Sequence, residues 1–479
     1  MNKELKRVSI AVLLMFIALF ASSTVITVFQ VDNLNADGRN VRTLYDSYSA
    51  ERGPILVDGQ AIAESKPVND PYKFQRVYNS PELYSAVTGY FTLNQGTTGV
   101  EGSLNNYLSG TANDQFLSKI NSIITGQSPK GASVSLTINP KAQQAAFDAL
   151  GNYTGAVVAI DPKTGGILAM VSKTAYDPNP LASHKTDDVI AAYKQLLGAP
   201  TRPLLNRAIG GDLYHPGSVF KLVVASAAID SGKYTPDSEF PNPSTYQLPL
   251  SNTVISNAEG GTCGGTPTVT IATALRLSCN IPFAQLGAAL GADTISKYAK
   301  AYGYGADFSV PMSVTPSTYP INTDVAKVML SSFGQDEDRV TPLQIAMTSA
   351  AIANKGTLMS PTLIKEIDAP DLTPIQPFQE KAYGQPISAE TSATLTQLMV
   401  SNVSNGAASN ARIDGVDVAG KTGTAENGKG RPFTLWFTGF APANDPQIAV
   451  AVVVENGAGF GNSVSAPIAK KVIEAVLNK

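Results

Sequence analysis

The sequence predicts an α+β domain in which strands at both ends enclose a long helical middle. Short apolar runs that are typical of β-strands occur near both ends, at 156–162, 167–172, 433–442 and 447–457. The KTGG turn between the first two runs indicates a hairpin, and the chain ends with a helical pattern at 466–477. Because the first and last segments both contain strands, we expect one sheet that closes a domain at 151–479.

An uncharged apolar segment at 8–29 precedes the rest of the chain. As a helix at about 1.5 Å per residue, it would span about 33 Å, enough to cross a membrane. Basic residues within 1–7 predict a cytoplasmic N-terminal tail, with everything after residue 29 outside the cell. The small residues at 21–23 leave a cleaved signal peptide as the alternative. The apolar run continues beyond them, which favours an uncleaved anchor.

Residues 30–150 are predicted to form a β-rich pedestal between the anchor and the α+β domain. The segment is rich in Asp, Asn, Gly and Tyr and includes a helical pattern at 114–125. Near its end, residues 133–138 alternate like a half-buried strand, and the helical pattern at 140–150 begins with proline.

Composition excludes several classes of function. Lys and Arg number 35 against 38 Asp and Glu, a net charge of −3, so there is no positive surplus for nucleic acid. Two histidines and two cysteines are too few to build the common zinc sites. We therefore expect neither a metal ion nor a cofactor.

The two cysteines, Cys263 and Cys279, are predicted to form a disulfide, because they lie on the side of the membrane where disulfides persist. Cys263 lies in a glycine-rich run at 260–265, which is a poor place to bury a free thiol. The alternative is two small, buried, unpaired residues.

The segment YHPGSVFKLVVASAAIDSG places Ser218 after a Pro-Gly turn, at the start of a helix expected to run to about Asp230. The next turn is apolar all round, which predicts burial, and Lys221 lies one turn from Ser218 on the same face. Burial lowers the pKa of a lysine, so Lys221 can serve as the base that activates Ser218. The alternative is a helix-capping serine beside a lysine that reaches solvent.

Two further motifs follow in order. Ser278 and Asn280 form S-x-N, with Cys279 between them. The third motif lies on an expected strand near the C-terminus and consists of Lys421, Thr422 and Gly423, followed by Thr424. S-x-x-K, S-D-N and K-T-G in this order are typical of penicillin-binding proteins and β-lactamases.

Two other features do not predict function. Residues 415–422 match the phosphate-binding pattern G-x-x-x-x-G-K-[ST], but a Gly/Pro-rich stretch and a strand follow instead of a helix. His184 and His215 are expected to be surface or loop residues.

With these motifs, the chain resembles class B penicillin-binding proteins, most closely the penicillin-binding protein A type of actinobacteria. The resemblance includes ERGPIL, TGVEGSLNNYLSG, LTINPKAQQAA, GAVVAIDPKTGGILAMVS, FGQDEDRVTPLQIAMTSAAIANKG and VVVENGAG. It implies a transpeptidase domain with an antiparallel sheet, helices on both faces and a helical subdomain. One departure is His215, which stands where the family more often has proline.

The resemblance implies a D,D-transpeptidase that cross-links peptidoglycan and is acylated by β-lactams. Ser218 would attack the penultimate D-Ala carbonyl of a stem peptide, and an amine of a second stem peptide would take the acyl group. Lys221 would be the base, Ser278 the proton relay, and Asn280 an amide donor to substrate and Lys221.

The third motif is implied to bind and polarise the substrate. Lys421 would add a positive charge that helps keep Lys221 neutral. Thr422 and Thr424 would bind the terminal carboxylate, and the backbone N–H groups of Ser218 and Thr424 would form the oxyanion hole.

The pedestal is too short for a glycosyltransferase domain. The resemblance therefore implies a separate SEDS-type membrane glycosyltransferase as partner.

The sequence leaves two alternatives to the transpeptidase open. One is the same chemistry with water as acceptor, in a D,D-carboxypeptidase or β-lactamase; the other is a non-catalytic scaffold or β-lactam sensor.

Overall fold

The computed structural model describes residues 3–26, 30, 50–112, 115, 130–258, 260–320 and 324–478. The end of the predicted anchor and nearly all of the helical pattern at 114–125 lie outside the described residues.

The N-terminal apolar segment is a helix, Lys3–Thr24, that begins before the apolar run itself. It is the one helix among the described residues that is long and apolar enough to span a membrane. Its apolar side chains are exposed rather than packed on the rest of the protein. Such a surface is stable in a lipid environment, as the sequence predicts for an anchor.

The predicted antiparallel sheet is confirmed, and it has five strands. Across the sheet the order is Ala419–Ala425, Phe433–Ala441, Ile448–Gly457, Gly155–Ile160 and Ile167–Lys173. All neighbouring strands are antiparallel, so the first and last segments of the domain meet at its centre. The strand with the third motif is left at one edge.

Both faces of this five-stranded sheet are covered by helices. Alternate residues of the central strand Ile448–Gly457 point to opposite faces, as in any β-strand. Ala451 and Val453 belong to the same apolar cluster as the buried helix Pro342–Ala353. Val450 and Val452 pack with the helices Pro140–Leu150 and Ser465–Leu477. The helix at 140–150, expected in the pedestal, therefore covers the five-stranded sheet.

A helical region lies beside the sheet and supplies the remaining core. Its helices are Lys221–Asp230, Ile271–Leu277, Ile281–Leu290, Ala292–Ala301, Val325–Ser331 and Ala389–Asn405. The connecting segments contain four short two-stranded antiparallel sheets: Glu239–Pro241 with Thr268–Thr270, Thr245–Gln247 with Val254–Ser256, Phe308–Ser309 with Ser313–Val314, and Leu358–Met359 with Ala382–Gly384.

The pedestal is built around a second sheet of six strands. Their order is Pro374–Gln376, Ile364–Asp368, Ser133–Leu136, Ile55–Val57, Gln60–Pro67 and Phe74–Tyr78. The first two strands come from the C-terminal half of the chain and pair with each other, and Ile364–Asp368 also pairs with Ser133–Leu136. Short helices, Pro81–Thr88, Gly99–Ser103 and Asn105–Leu108, complete this part.

A buried ion cluster joins the strands of the pedestal to its helices. Glu101 is fully buried, and its carboxylate accepts from Arg52 Nε and, at 2.6 Å, from Arg76 Nε. Arg52 also donates to the Glu101 carbonyl oxygen at 2.6 Å. Burial raises the pKa of Glu101, but the charges of Arg76 and Arg52 outweigh this and hold the pKa below its usual value.

Replacing Glu101 with alanine should destabilise the folded chain strongly, because two buried guanidinium groups would lose their counter-charge. We expect the free energy of unfolding to fall by about 3–5 kcal/mol, measured by denaturant titration. The matched control is Asp445→Ala, which breaks the exposed Lys163–Asp445 pair and should leave the midpoint unchanged. Equal midpoints for the two variants would contradict this account of the pedestal.

Candidate active site

Ser218 lies where the sequence predicts, at the start of a buried helix. A short 3-10 turn, Gly217–Phe220, leads directly into the helix Lys221–Asp230. Gly217 has a φ of 55°, and a Cβ atom there would lie 3.1 Å from the Cβ of Ala425. The serine turn therefore packs against the edge strand, and Ser218 itself is half-buried.

Lys221 is fully buried, and its amine has two acceptors. Lys221 Nζ donates to the Ser278 carbonyl oxygen and to Asn280 Oδ1, both at 2.8 Å. Burial, and then the charge of Lys421, hold the pKa of Lys221 well below its usual value. A neutral amine has two N–H donors and one lone pair. With both donors engaged, the lone pair remains to accept a proton.

Ser278 connects the two lysines of the site. It ends the helix Ile271–Leu277 in a left-handed conformation with a φ of 62°. Its carbonyl oxygen accepts from Lys221, and its Oγ accepts from Lys421 Nζ at 2.7 Å. The backbone and side chain of one residue thus hold both amines.

Asn280 is held in one orientation by Ser256 and Asn257, which no sequence motif had singled out. Its backbone N–H donates to Asn257 Oδ1 at 2.9 Å, and its Nδ2 donates to the Ser256 carbonyl oxygen at 3.0 Å. This arrangement turns Asn280 Oδ1 toward Lys221. Asn280 is therefore an acceptor for Lys221 in this structure, whereas the family resemblance implied an amide donor.

Lys421 lies on the edge strand Ala419–Ala425 and is also fully buried. In addition to Ser278, its Nζ donates to the Thr422 carbonyl oxygen at 2.8 Å. Burial lowers the pKa of Lys421 to about 7. The site therefore holds two amines whose charged forms burial disfavours.

The other residues of the third motif have different surroundings. The Thr422 hydroxyl donates to the Ala407 carbonyl oxygen at 3.0 Å. Thr424 is half-exposed, and its Oγ1 accepts from the Gly461 backbone N–H at 3.2 Å, which leaves its own proton for another acceptor. A Cβ atom at Gly423 would lie 3.1 Å from the Pro216 carbonyl oxygen. A side chain there would require the turn or the strand to move by a few tenths of an ångström.

A disulfide joins Cys263 to Cys279, with Cα atoms 5.8 Å apart. Cys279 is fully buried between the two residues of the second motif. The residues 415–422 lead into the strand Ala419–Ala425 rather than a helix, so they do not form a phosphate-binding loop. His184 and His215 both lie in loops and are partly buried.

Comparison with known proteins gives matches over most of the chain. A family model for the penicillin binding protein transpeptidase domain matches residues 155–474, and one for the penicillin binding protein A dimerisation domain matches residues 52–134. The peptidoglycan D,D-transpeptidase PbpA of Mycolicibacterium smegmatis is 39% identical, covering 100% of both chains. PbpA of Mycobacterium tuberculosis is also 39% identical, covering 100% of this chain and 99% of its own.

Solved structures of similar proteins agree with these family and sequence matches. The ceftriaxone acyl-enzyme complex of penicillin-binding protein A from M. tuberculosis has a TM-score of 0.87 at 39% identity, covering 90% of this chain and 100% of that chain. A D,D-transpeptidase domain from Eggerthella lenta has a TM-score of 0.79 at 32% identity, covering 90% of this chain and 99% of that chain.

The chain therefore belongs to the penicillin-binding protein transpeptidase family. The full-length identity and the fold place it among the class B members of the penicillin-binding protein A type. The resemblance predicted from the sequence motifs is confirmed.

Removing the disulfide should destabilise the helical region next to the second motif. For a loop of this length the chain-entropy relation gives a loss of about 3 kcal/mol, which denaturant titration of a Cys263→Ser, Cys279→Ala double variant would measure. Reductant should lower the midpoint of the natural chain and leave that of the variant unchanged. Free thiols in the unreduced, denatured natural chain would contradict the pairing.

Proposed function

We propose that this chain is a peptidoglycan D,D-transpeptidase that forms a serine acyl-enzyme with stem peptides and is acylated by β-lactams. The observation that carries the proposal is the buried amine of Lys221, which is fixed by two acceptors one helical turn from Ser218. The relatives support it, because the similar M. tuberculosis structures are acyl-enzyme complexes with ceftriaxone, imipenem and penicillin G.

In the acylation step, Lys221 takes the proton of the Ser218 hydroxyl as Oγ bonds to the penultimate D-Ala carbonyl carbon. The C–N bond to the terminal D-Ala then breaks, and the departing nitrogen receives a proton through Ser278. The hydroxyl of Ser278 suits this relay, because Lys421 donates to its oxygen while its carbonyl binds Lys221.

In the second step, the amine of another stem peptide attacks the acyl carbon. Its surplus proton passes to Lys221, the ester bond breaks, and Ser218 Oγ recovers a proton. A β-lactam follows the first step only: ring opening leaves its amine attached to the acyl group, so no leaving fragment vacates the site.

The edge strand Ala419–Ala425 would bind the substrate. Thr424 has a hydroxyl proton available for the terminal carboxylate, and the charge of Lys421 lies nearby. The hydroxyl of Thr422 is engaged with Ala407, so its contribution is to fix the strand rather than to bind directly. The backbone N–H groups of Ser218 and Thr424 would polarise the carbonyl, because the serine turn and the strand are in contact at Gly423.

The same proposal includes the arrangement at the membrane. Residues 1–7 would be a cytoplasmic tail, 8–29 the anchor, 30–150 the pedestal and 151–479 the transpeptidase domain outside the cell. The basic residues before the apolar run support this orientation. A SEDS-type glycosyltransferase would polymerise the glycan and contact the anchor and pedestal. The exposed apolar surface of the helix Lys3–Thr24 is available for such a contact.

The nucleophile is tested by intact mass of the full-length chain in detergent after incubation with benzylpenicillin. We expect one acyl adduct that persists for minutes or longer, and none in Ser218→Ala. The exposed Ser231, at the end of the same helix, provides the control variant Ser231→Ala, which should be acylated normally.

An adduct that persists in Ser218→Ala would contradict the assignment, and one lost within seconds would indicate a β-lactamase. With a D-Ala-D-Ala peptide and an amine acceptor, release of the hydrolysed peptide alone would indicate a carboxypeptidase. Growth restored to depleted cells by Ser218→Ala would indicate a scaffold.

The electrostatic role of Lys421 is tested by the pH dependence of acylation. Protonated Lys221 cannot act as base, so the rate should rise with pH through the pKa of Lys221. Lys421→Met removes the charge that lowers this pKa, so the rising limb should move to higher pH by about one unit. Lys421→Arg keeps the charge and should leave the limb in place even if the rate falls. A limb that moves equally in both variants would contradict this role.

A further inference from the structure

The segment that precedes Ser218 is held by backbone contacts on two sides. Tyr214 and Val340 exchange backbone hydrogen bonds of 3.1 and 2.9 Å. The Gly217 N–H donates to the Gly334 carbonyl oxygen at 2.9 Å, and Gly334 approaches so closely that a Cβ there would lie 2.0 Å from the Gly217 oxygen. The loop at 334–340, the supporting loop, therefore contacts the segment before Ser218 at both of its ends, Tyr214 and Gly217.

His215, between these two contacts, makes two more. Its carbonyl oxygen accepts from Trp436 Nε1 at 2.9 Å, which ties the turn to the five-stranded sheet. Its Nδ1 lies 2.8 Å from Arg339 Nη1. A guanidinium group can only donate, so Nδ1 must be the acceptor, and the imidazole is neutral with its proton on Nε2.

Arg339 is itself fixed on the supporting loop. The two N–H groups of this Nη1 are shared between His215 and two backbone acceptors, the carbonyl oxygens of Asp336 at 3.0 Å and Asp338 at 2.8 Å. The carboxyl group of Asp338 is fully buried, and both acidic side chains interact electrostatically with Arg339. Backbone acceptors on its own loop therefore fix the position of the guanidinium nitrogen that His215 contacts.

We propose that His215 is a positioning residue for the acylation step: its Nδ1–Arg339 hydrogen bond fixes the turn that carries the Ser218 hydroxyl. This inference rests on the proposed role of Ser218 as nucleophile. The hydrogen bond from Trp436 is made to the backbone carbonyl of His215, which a side-chain variant keeps. Substitution of His215 therefore removes the contact of the imidazole nitrogen with Arg339. A nucleophile displaced by about 1 Å can lose about a hundredfold in rate.

Burial and the charge of Arg339 also lower the pKa of His215 to about 4, which keeps the imidazole neutral in neutral solution. Arg339 is the charged group of the supporting loop that acts on His215, and Asp336 and Asp338 act on Arg339 in turn. Protonation would place a second donor opposite Arg339 and break the contact.

The test compares two nearly isosteric variants of the full-length chain in detergent. His215→Asn keeps an acceptor oxygen at the position of Nδ1, and His215→Leu replaces it with a methyl group. We expect His215→Leu to lower the acylation rate constant at saturating benzylpenicillin by about tenfold to a hundredfold, with the dissociation constant of the preceding complex changed less than about twofold. His215→Asn should retain the rate within about threefold.

Equal rates for the Asn and Leu variants, or a loss confined to the dissociation constant, would overturn the proposal. Persistent acylation of Ser218→Ala, in contrast, would overturn the nucleophile assignment instead. Should His215→Leu fail to fold, the ¹⁵N spectrum of the natural chain tests the hydrogen bond between His215 and Arg339. Its imidazole signals are simple to assign, because the chain has only two histidines. An unprotonated Nδ1 on His215 from pH 5 to 8 is expected; a protonated Nδ1 would contradict the contact.

Discussion

Two lysine amines buried side by side are the constraint on which the site depends. Neither Lys221 nor Lys421 forms an ion pair with the side chains that the structure describes, and both are fully buried. Two charges in such a place are costly, so the fold favours a neutral Lys221 beside a Lys421 that titrates near neutrality. Ser278 makes this arrangement stable because it supplies an acceptor to each amine.

The architecture explains how two such groups come together. One lysine lies on a buried helix and the other on the edge strand Ala419–Ala425, which pairs with Phe433–Ala441 without a register shift. Regular elements hold side chains more rigidly than loops do. The second motif lies between two helices, and the disulfide at Cys279 ties this junction to the loop at Cys263. Each motif is thus fixed by contacts outside the motif itself.

Local patterns were enough to predict the five-stranded sheet, the buried helix after Ser218 and the three motifs, because periodicity and residue order carry that information. The strands Ile364–Asp368 and Pro374–Gln376 were not predicted as part of the pedestal, since they join its sheet through the pairing of Ile364–Asp368 with Ser133–Leu136, which are distant in sequence. Asn257 and Arg339 were not predicted for the same reason. Each acts on a site residue through a side-chain contact that the spacing of residues in the sequence does not indicate.

The role of Lys221 as base requires a neutral amine in the resting protein. Titration of ¹³C-labelled lysine side chains by NMR measures this directly, with the two signals assigned through Lys221→Met and Lys421→Met. We expect the Lys221 signal to show an unprotonated amine at pH 7 and the Lys421 signal to titrate near 7. Two buried lysines that both remain protonated up to about pH 10, the ordinary range of the side chain, would contradict the account.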